Sequence, residues 1–162
     1  MWEGIRERPV MVEPEPIFEA ITDPDSVEVP PYFPDTPRVR ESIAKNYDNI
    51  AQCDKVMGQL LKQLEEDDLV ENTIVVHWSD HGPMPRGKRH LYDSGIHSPM
   101  IIRWPGKIVS NTTNNRLVST LDLGATMLSA CNITVPPHIE GKAFLGGQKT
   151  SERNYIYSSV DR

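Results

Sequence analysis

The stretch Thr73-Ile74-Val75-Val76-His77-Trp78-Ser79-Asp80-His81-Gly82 constrains the fold more than any other part of the chain. β-Branched residues fill Thr73 to Val76 and the run is too short for a helix, so it predicts a buried strand. The strand stops abruptly at Ser79, Asp80 and His81. In open α/β sheets, ligands bind beyond the carboxyl ends of strands, which makes this end the candidate site. Upstream, Val39, Ile43, Tyr47, Ile50, Met57, Leu61 and Leu64 recur at three- and four-residue steps apart from one gap, and predict a helix to about Glu66. Asp35 or Thr36 can cap it, with Pro37 in its first turn. A helix, the polar turn from Asp67 to Asn72 and a buried strand make half of a βαβ unit, and so predict an α/β fold. Asp54 fills the gap in the apolar stripe. It is either an edge carboxylate reaching solvent or a buried one holding the site loop, and a buried carboxylate needs a partner. Gly58 predicts close packing against another element.

Prolines crowd into residues 1–37. Val29-Pro30-Pro31-Tyr32-Phe33-Pro34-Asp35-Thr36-Pro37 cannot be helical, because each proline holds its neighbour extended. The chain therefore divides into an irregular opening segment, 1–37, and a body, 38–162. Residues 83–98 read as a loop, Pro99 to Trp104 as a second buried strand, and 107–116 as an exposed connection. Asp122 is a good N-cap for a short helix through Ala130. Asn132 can end that helix, and Pro136-Pro137 prevents a restart. Gly141 to Gly146 reads as a loop, and Tyr155 to Ser158 as a strand or its start.

At 162 residues the chain is long enough for a real core. A net charge of −6 argues against a general nucleic-acid binder, and no apolar run is long enough to span a membrane. The first residues lack the basic head and apolar middle of an export signal. Cys53 and Cys131 do not make a disulfide framework, and each is expected to pack as a small apolar residue. Asn111-Thr112-Thr113 and Asn132-Ile133-Thr134 match the glycosylation pattern and, without an export signal, read as chance.

Asp80 is a hard oxygen ligand suited to calcium or magnesium. His81 favours a softer metal, or adds one nitrogen beside several oxygens. The same residues also make an ordinary turn, with Asp80 accepting backbone bonds. Arg86, Lys88, Arg89, His90 and His97 concentrate positive charge in an otherwise acidic chain. Lys88 suits a sulfate or phosphate oxygen, unless the loop is simply solvated. His90 and His97 are acid–base candidates or structural hydrogen-bonders. No nucleophile elbow, phosphate-binding Walker loop or zinc spacing occurs.

Five motifs in order resemble the sulfatase family: Tyr47, Ile50, Asp54, Gly58 and Leu64 on the helix; Asn72 to Gly82; Gly87-Lys88; Leu91 to Gly106; and Ser119 to Leu128 with Asp122. Val29 to Pro37 further resembles the sulfamidase-like, heparan N-sulfatase branch. The resemblance covers about residues 27–162. It implies an alkaline-phosphatase-like α/β fold, a large mixed sheet flanked by helices. It also implies hydrolysis of sulfate esters or N-sulfate by a formylglycine beside a bound calcium, Ca2+. By position, Asp80 and His81 match metal ligands, Lys88 the sulfate contact, and His97 a substrate contact where many members carry Arg. Asp54 matches a structural Asp. The implied partner is a sulfated small molecule or carbohydrate, and exported members point to periplasmic, secreted or lysosomal placement of the parent. The formylglycine motif Cys/Ser-x-Pro-Ser/Ala-Arg is absent: Cys53 precedes Asp54-Lys55-Val56 and Cys131 precedes Asn132-Ile133-Thr134. The paired Asp residues that open the family's metal site and the upstream pocket histidine are absent too. These departures imply the C-terminal portion of a catalytic domain, inactive alone and with unpaired sheet edges. The alternatives are a phosphodiesterase or phosphomutase of the same superfamily, or a non-catalytic calcium- and anion-binding remnant.

Overall fold

The computed structural model of the chain describes residues 21–82 and 90–159. Within them, α1 is Pro37–Glu66, β1 is Val75–Trp78, α2 is Asp93–Ile96, β2 is Met100–Arg103 and α3 is Leu121–Ala130. Single 3-10 turns occupy Pro24–Ser26 and Val70–Asn72. The described residues form two compact units. One combines 21–78 with Met100–Ile108; the other combines Ser79–Gly82, 90–99 and 109–159.

The first unit is built on α1. Thr36 caps it: the backbone is extended there and its hydroxyl accepts from Val39 N at 3.4 Å, with Pro37 in the first turn. Such a cap contributes about 1 kcal/mol. Val27, Ile43 and Ala44 form a small apolar cluster, with Val29 and Val39 packed against it. Prolines deny the opening segment a hydrogen-bonded ladder of its own, so α1 side chains satisfy its backbone. Arg40 Nη1 donates to the carbonyls of Asp25 and Val27, both at 3.2 Å, while its Nε and Nη2 grip Asp35 at 2.6 and 2.8 Å. Asp48, 8% exposed, accepts from Thr22 N at 3.0 Å and Thr22 Oγ1 at 2.6 Å.

β1 and β2 pair antiparallel, with Val75 opposite Arg103 and Trp78 opposite Met100. The expected strands are both present. α1, the turn and β1 follow one another as the half βαβ reading expects, and β2 then returns beside β1 directly and antiparallel. Of the expected mixed sheet, the described residues contain this one pair. Nor are the strands fully buried: Trp78 is 48% and Ile101 66% exposed, since a two-stranded ribbon covers neither of its faces. On α1, Asp54 is exposed, which selects the edge reading, and Tyr47 and Ile50 lie open on the expected stripe. Gly58 has nothing within 4 Å of where a Cβ would sit, so its expected close packing is not found among the described residues. Cys53 and Cys131 are exposed and unbridged rather than packed inside.

The second unit is organised by α3. Its cap corrects the expectation. Thr120 is the N-cap without a side-chain bond, and Asp122 lies inside the first turn. The Asp122 side chain reaches back to Ser119 N at 2.8 Å, accepts from Lys142 N at 2.7 Å and pairs with Arg153 at 2.5 Å. Asn132 ends the helix as expected, in left-handed conformation at φ 57°. Ala143 and Phe144 are buried within the loop that begins at Gly141. Residues 155–158 form no strand, since no ladder partner is present among the described residues. Their tyrosines, Tyr155 and Tyr157, instead meet edge to face at 5.3 Å.

Two outcomes are expected. Replacing Asp122 by Ala orphans two backbone donors and the Arg153 charge beside a side chain 2% exposed, and destabilises by about 3–5 kcal/mol. Asp122→Asn keeps oxygen acceptance and costs less; equal denaturant midpoints for both variants and wild type would refute this. Second, hydrogen bonding from Arg40 holds the Asp35 carboxyl below the usual carboxylate range. A depressed folded-state pKa stabilises above the unfolded value, and that contribution is lost as pH falls through the folded one. Asp35→Asn therefore flattens that part of the acid limb in unfolding measured against pH.

Candidate metal and oxyanion site

Ser79 follows β1, and its N–H donates to Pro99 O at 3.3 Å, so the segments leaving β1 and entering β2 remain paired one step further. Asp80 then turns outward, its side chain 61% exposed, while the His81 side chain is 26% exposed and Gly82 is buried. His81 Nδ1 lies 2.8 Å from Gly82 O. A carbonyl only accepts, so Nδ1 carries the hydrogen, and whenever the ring is neutral its lone pair is on Nε2. That Nε2 is 3.6 Å from Asp80 Oδ1. Two ligands about 2.4 Å from one ion and at right angles stand about 3.4 Å apart. The spacing therefore suits a shared divalent cation. Asp80 supplies a hard, charged oxygen and His81 a borderline nitrogen. Among the described residues no third carboxylate, imidazole or thiol joins them.

Residues 90–98, expected to be loop throughout, contain the single helical turn α2. His97 closes that turn, its N–H donating to Asp93 O at 2.9 Å. The His97 ring stands 3.9 Å from the Asp93 carboxylate, with side chains 81% and 92% exposed. It is available to a ligand, and its contact with Asp93 is a solvated one. His90 is also exposed, its ring 6.4 Å from that of Tyr92. Lys88, the candidate oxyanion contact, lies outside the described residues, as do Arg86 and Arg89. Sequence reasoning missed the bond from His81 to Gly82 and the packing of Gly82 on α2. The only trace of either was the glycine itself, directly after two candidate ligands.

The sulfatase family profile matches residues 18–133. The chain belongs to the sulfatase family. An ulvan-active sulfatase of Formosa agariphila is 44% identical over 135 residues, which is 83% of this chain and 23% of that protein. The human N-sulphoglucosamine sulphohydrolase is 31% identical over 118 residues, 72% of this chain and 24% of the relative. Mouse arylsulfatase K is 33% identical over 104 residues, 61% of this chain and 19% of the relative. The chain thus spans roughly a quarter or less of the length of these curated relatives.

His97→Ala is expected to leave folding stability within about 0.5 kcal/mol, because the pair it removes is screened by water. A larger loss in equilibrium unfolding would show that His97 holds α2 together rather than standing ready for a ligand.

Proposed function

We propose that the intact protein hydrolyses sulfate ester or N-sulfate groups on sulfated carbohydrate, and that this chain supplies one side of its cation site and part of its sulfate-binding rim. Family membership supports the reaction class. The observation that carries the site is the Asp80–His81 pair, at chelating spacing with its tautomer fixed by a backbone carbonyl. In this reading the whole domain is an alkaline-phosphatase-like α/β structure with a mixed sheet, and this chain is its C-terminal portion.

The cation of this reading is calcium, and when bound it places fixed positive charge against the sulfate oxygens. Asp80 anchors that charge and offsets part of it. His81 directs its Nε2 lone pair at the same point. Lys88 presents a compact ammonium to a sulfate oxygen, and His97 contacts the substrate from the end of α2. Charge placed in advance around a transferring oxyanion lowers the barrier without reorganisation during the reaction. Neither cysteine lies in a formylglycine sequence, so in this reading the 162-residue chain has no turnover of its own. The names of two relatives, one for ulvan and one for N-sulphoglucosamine, support a carbohydrate substrate. The second is also the support for the sulfamidase-like branch.

Asp80→Ala in the full-length protein is expected to weaken divalent-cation binding at least about tenfold, or about 1.4 kcal/mol, and to abolish release of sulfate from an aryl sulfate. Calorimetry with calcium and a sulfate-release assay read the two effects separately. Wild-type affinity retained by the variant would remove Asp80 from the site. Cation binding without turnover by the full-length wild type would leave a binding module instead of an enzyme. Parallel assays on glucosamine N-sulfate and on O-sulfated sugars decide the branch.

A further inference from the structure

We propose that Gly82 is a positioning residue for this site: its carbonyl fixes the His81 ring with Nε2 toward the cation, and its missing side chain seats helix α2. The inference rests on the reading of Asp80 and His81 as cation ligands. Two independent observations meet at this one residue. The first is the 2.8 Å bond between His81 Nδ1 and Gly82 O. A ligating histidine is held by whatever its other nitrogen donates to, and that partner sets both the tautomer and the ring orientation. Here the partner is the next residue's own carbonyl, so any shift of the Gly82 peptide turns the ring.

The second is what surrounds Gly82. It is buried, and a Cβ there would collide with Asp93 O and lie 2.9 Å from Ser94 O. Both obstacles are backbone atoms of α2, which cannot swing aside as a flexible side chain does. The backbone at Gly82 is not left-handed. A side chain is therefore excluded by lack of space, not by conformation, and adding one must move either the Gly82 peptide or α2. Moving the peptide turns His81. Moving α2 shifts Asp93, whose carbonyl holds His97 N at 2.9 Å, and so displaces the candidate substrate contact. One glycine thus sets His81 toward the cation and His97 toward the substrate.

The test uses the full-length protein. Long-range proton–nitrogen NMR on the metal-free wild type, at a pH above the ordinary imidazole range, reads the His81 tautomer. Hydrogen on Nδ1 is expected; hydrogen on Nε2 overturns the inference. Calorimetry with calcium then compares Gly82→Ala with Gly124→Ala, an exposed α3 position whose added Cβ meets nothing within 4 Å. Gly82→Ala is expected to lose affinity about 10- to 100-fold, the range that partners of metal-bound histidines carry. Gly124→Ala is expected to match wild type. Unchanged affinity in a folded Gly82→Ala protein overturns the inference and leaves the cation reading standing. A wild type that binds no divalent cation overturns the reading beneath it. If Gly82→Ala does not fold, the wild-type tautomer decides.

Discussion

A carboxylate removed from water must have its oxygens partnered or give up its charge, and the second unit is arranged around that requirement at Asp122. The residue is 1% exposed. Oδ1 takes Lys142 N and the Arg153 guanidinium, and Oδ2 takes Ser119 N. A single side chain thereby ties together the entry to α3, the loop after Gly141 and the segment near Arg153. The inner face of α3 continues the pattern. Thr126 Oγ1 donates to Asp122 O and accepts from Phe144 N, and Ser129 Oγ accepts from Gln148 N. Buried backbone N–H groups need acceptors, and a loop without a ladder finds them in the polar side chains of a helix. Gly146, at φ 83°, meets this face where a Cβ would strike Ser129.

The first unit meets the same requirement by different residues. Its proline-broken residues 21–36 satisfy few of their own carbonyls, the bonds from Ser26 N to Asp23 O and from Phe33 N to Pro30 O being single turns. Arg40 presents donors in a rigid fork, and it spends one face on Asp35 and another on the carbonyls of Asp25 and Val27. Asp48 holds Thr22 by both its N–H and its hydroxyl. Among the described residues the apolar cluster beneath is small, with Val27, Ile43 and Ala44 buried. Polar ties therefore fix the path of this segment where apolar area alone is too little to do so.

What was legible in the sequence was mostly local. The Thr36 cap, Pro37, the end of α1 near Glu66 and the turn at Asn132 all depend on interactions within a few residues, and the structure has them where the pattern puts them. Pairing was not legible. The antiparallel return of β2 onto β1 depends on residues about 25 positions apart, and both strands read as continuous apolar runs in either direction. The buried carboxylates were not legible for a related reason. Asp54 stood out because it broke the stripe, yet Asp48 is the buried one. Its partner, Thr22, lies 26 residues away and no periodicity connects the two. Asp122 was rightly tied to the start of α3 but two positions from its cap, because its longest-range partner, Arg153, is 31 residues downstream.

The pair proposed to hold a cation shows the same division between local order and distant completion. Asp80, His81 and Gly82 are consecutive, so the orientation of two donors depends on one peptide and one ring hydrogen bond. That preorganisation lowers the entropy lost on binding. It does not by itself give affinity, because a hard divalent cation gives up its water only to six or more ligands. Asp80 is 61% exposed, so water would compete for an ion on the open side of the pair. Two donors held in register are enough to set the direction from which an ion is bound and the position of its charge. In the proposed site the strength of binding would have to come from further oxygens, since no third carboxylate, imidazole or thiol joins Asp80 and His81 among the described residues.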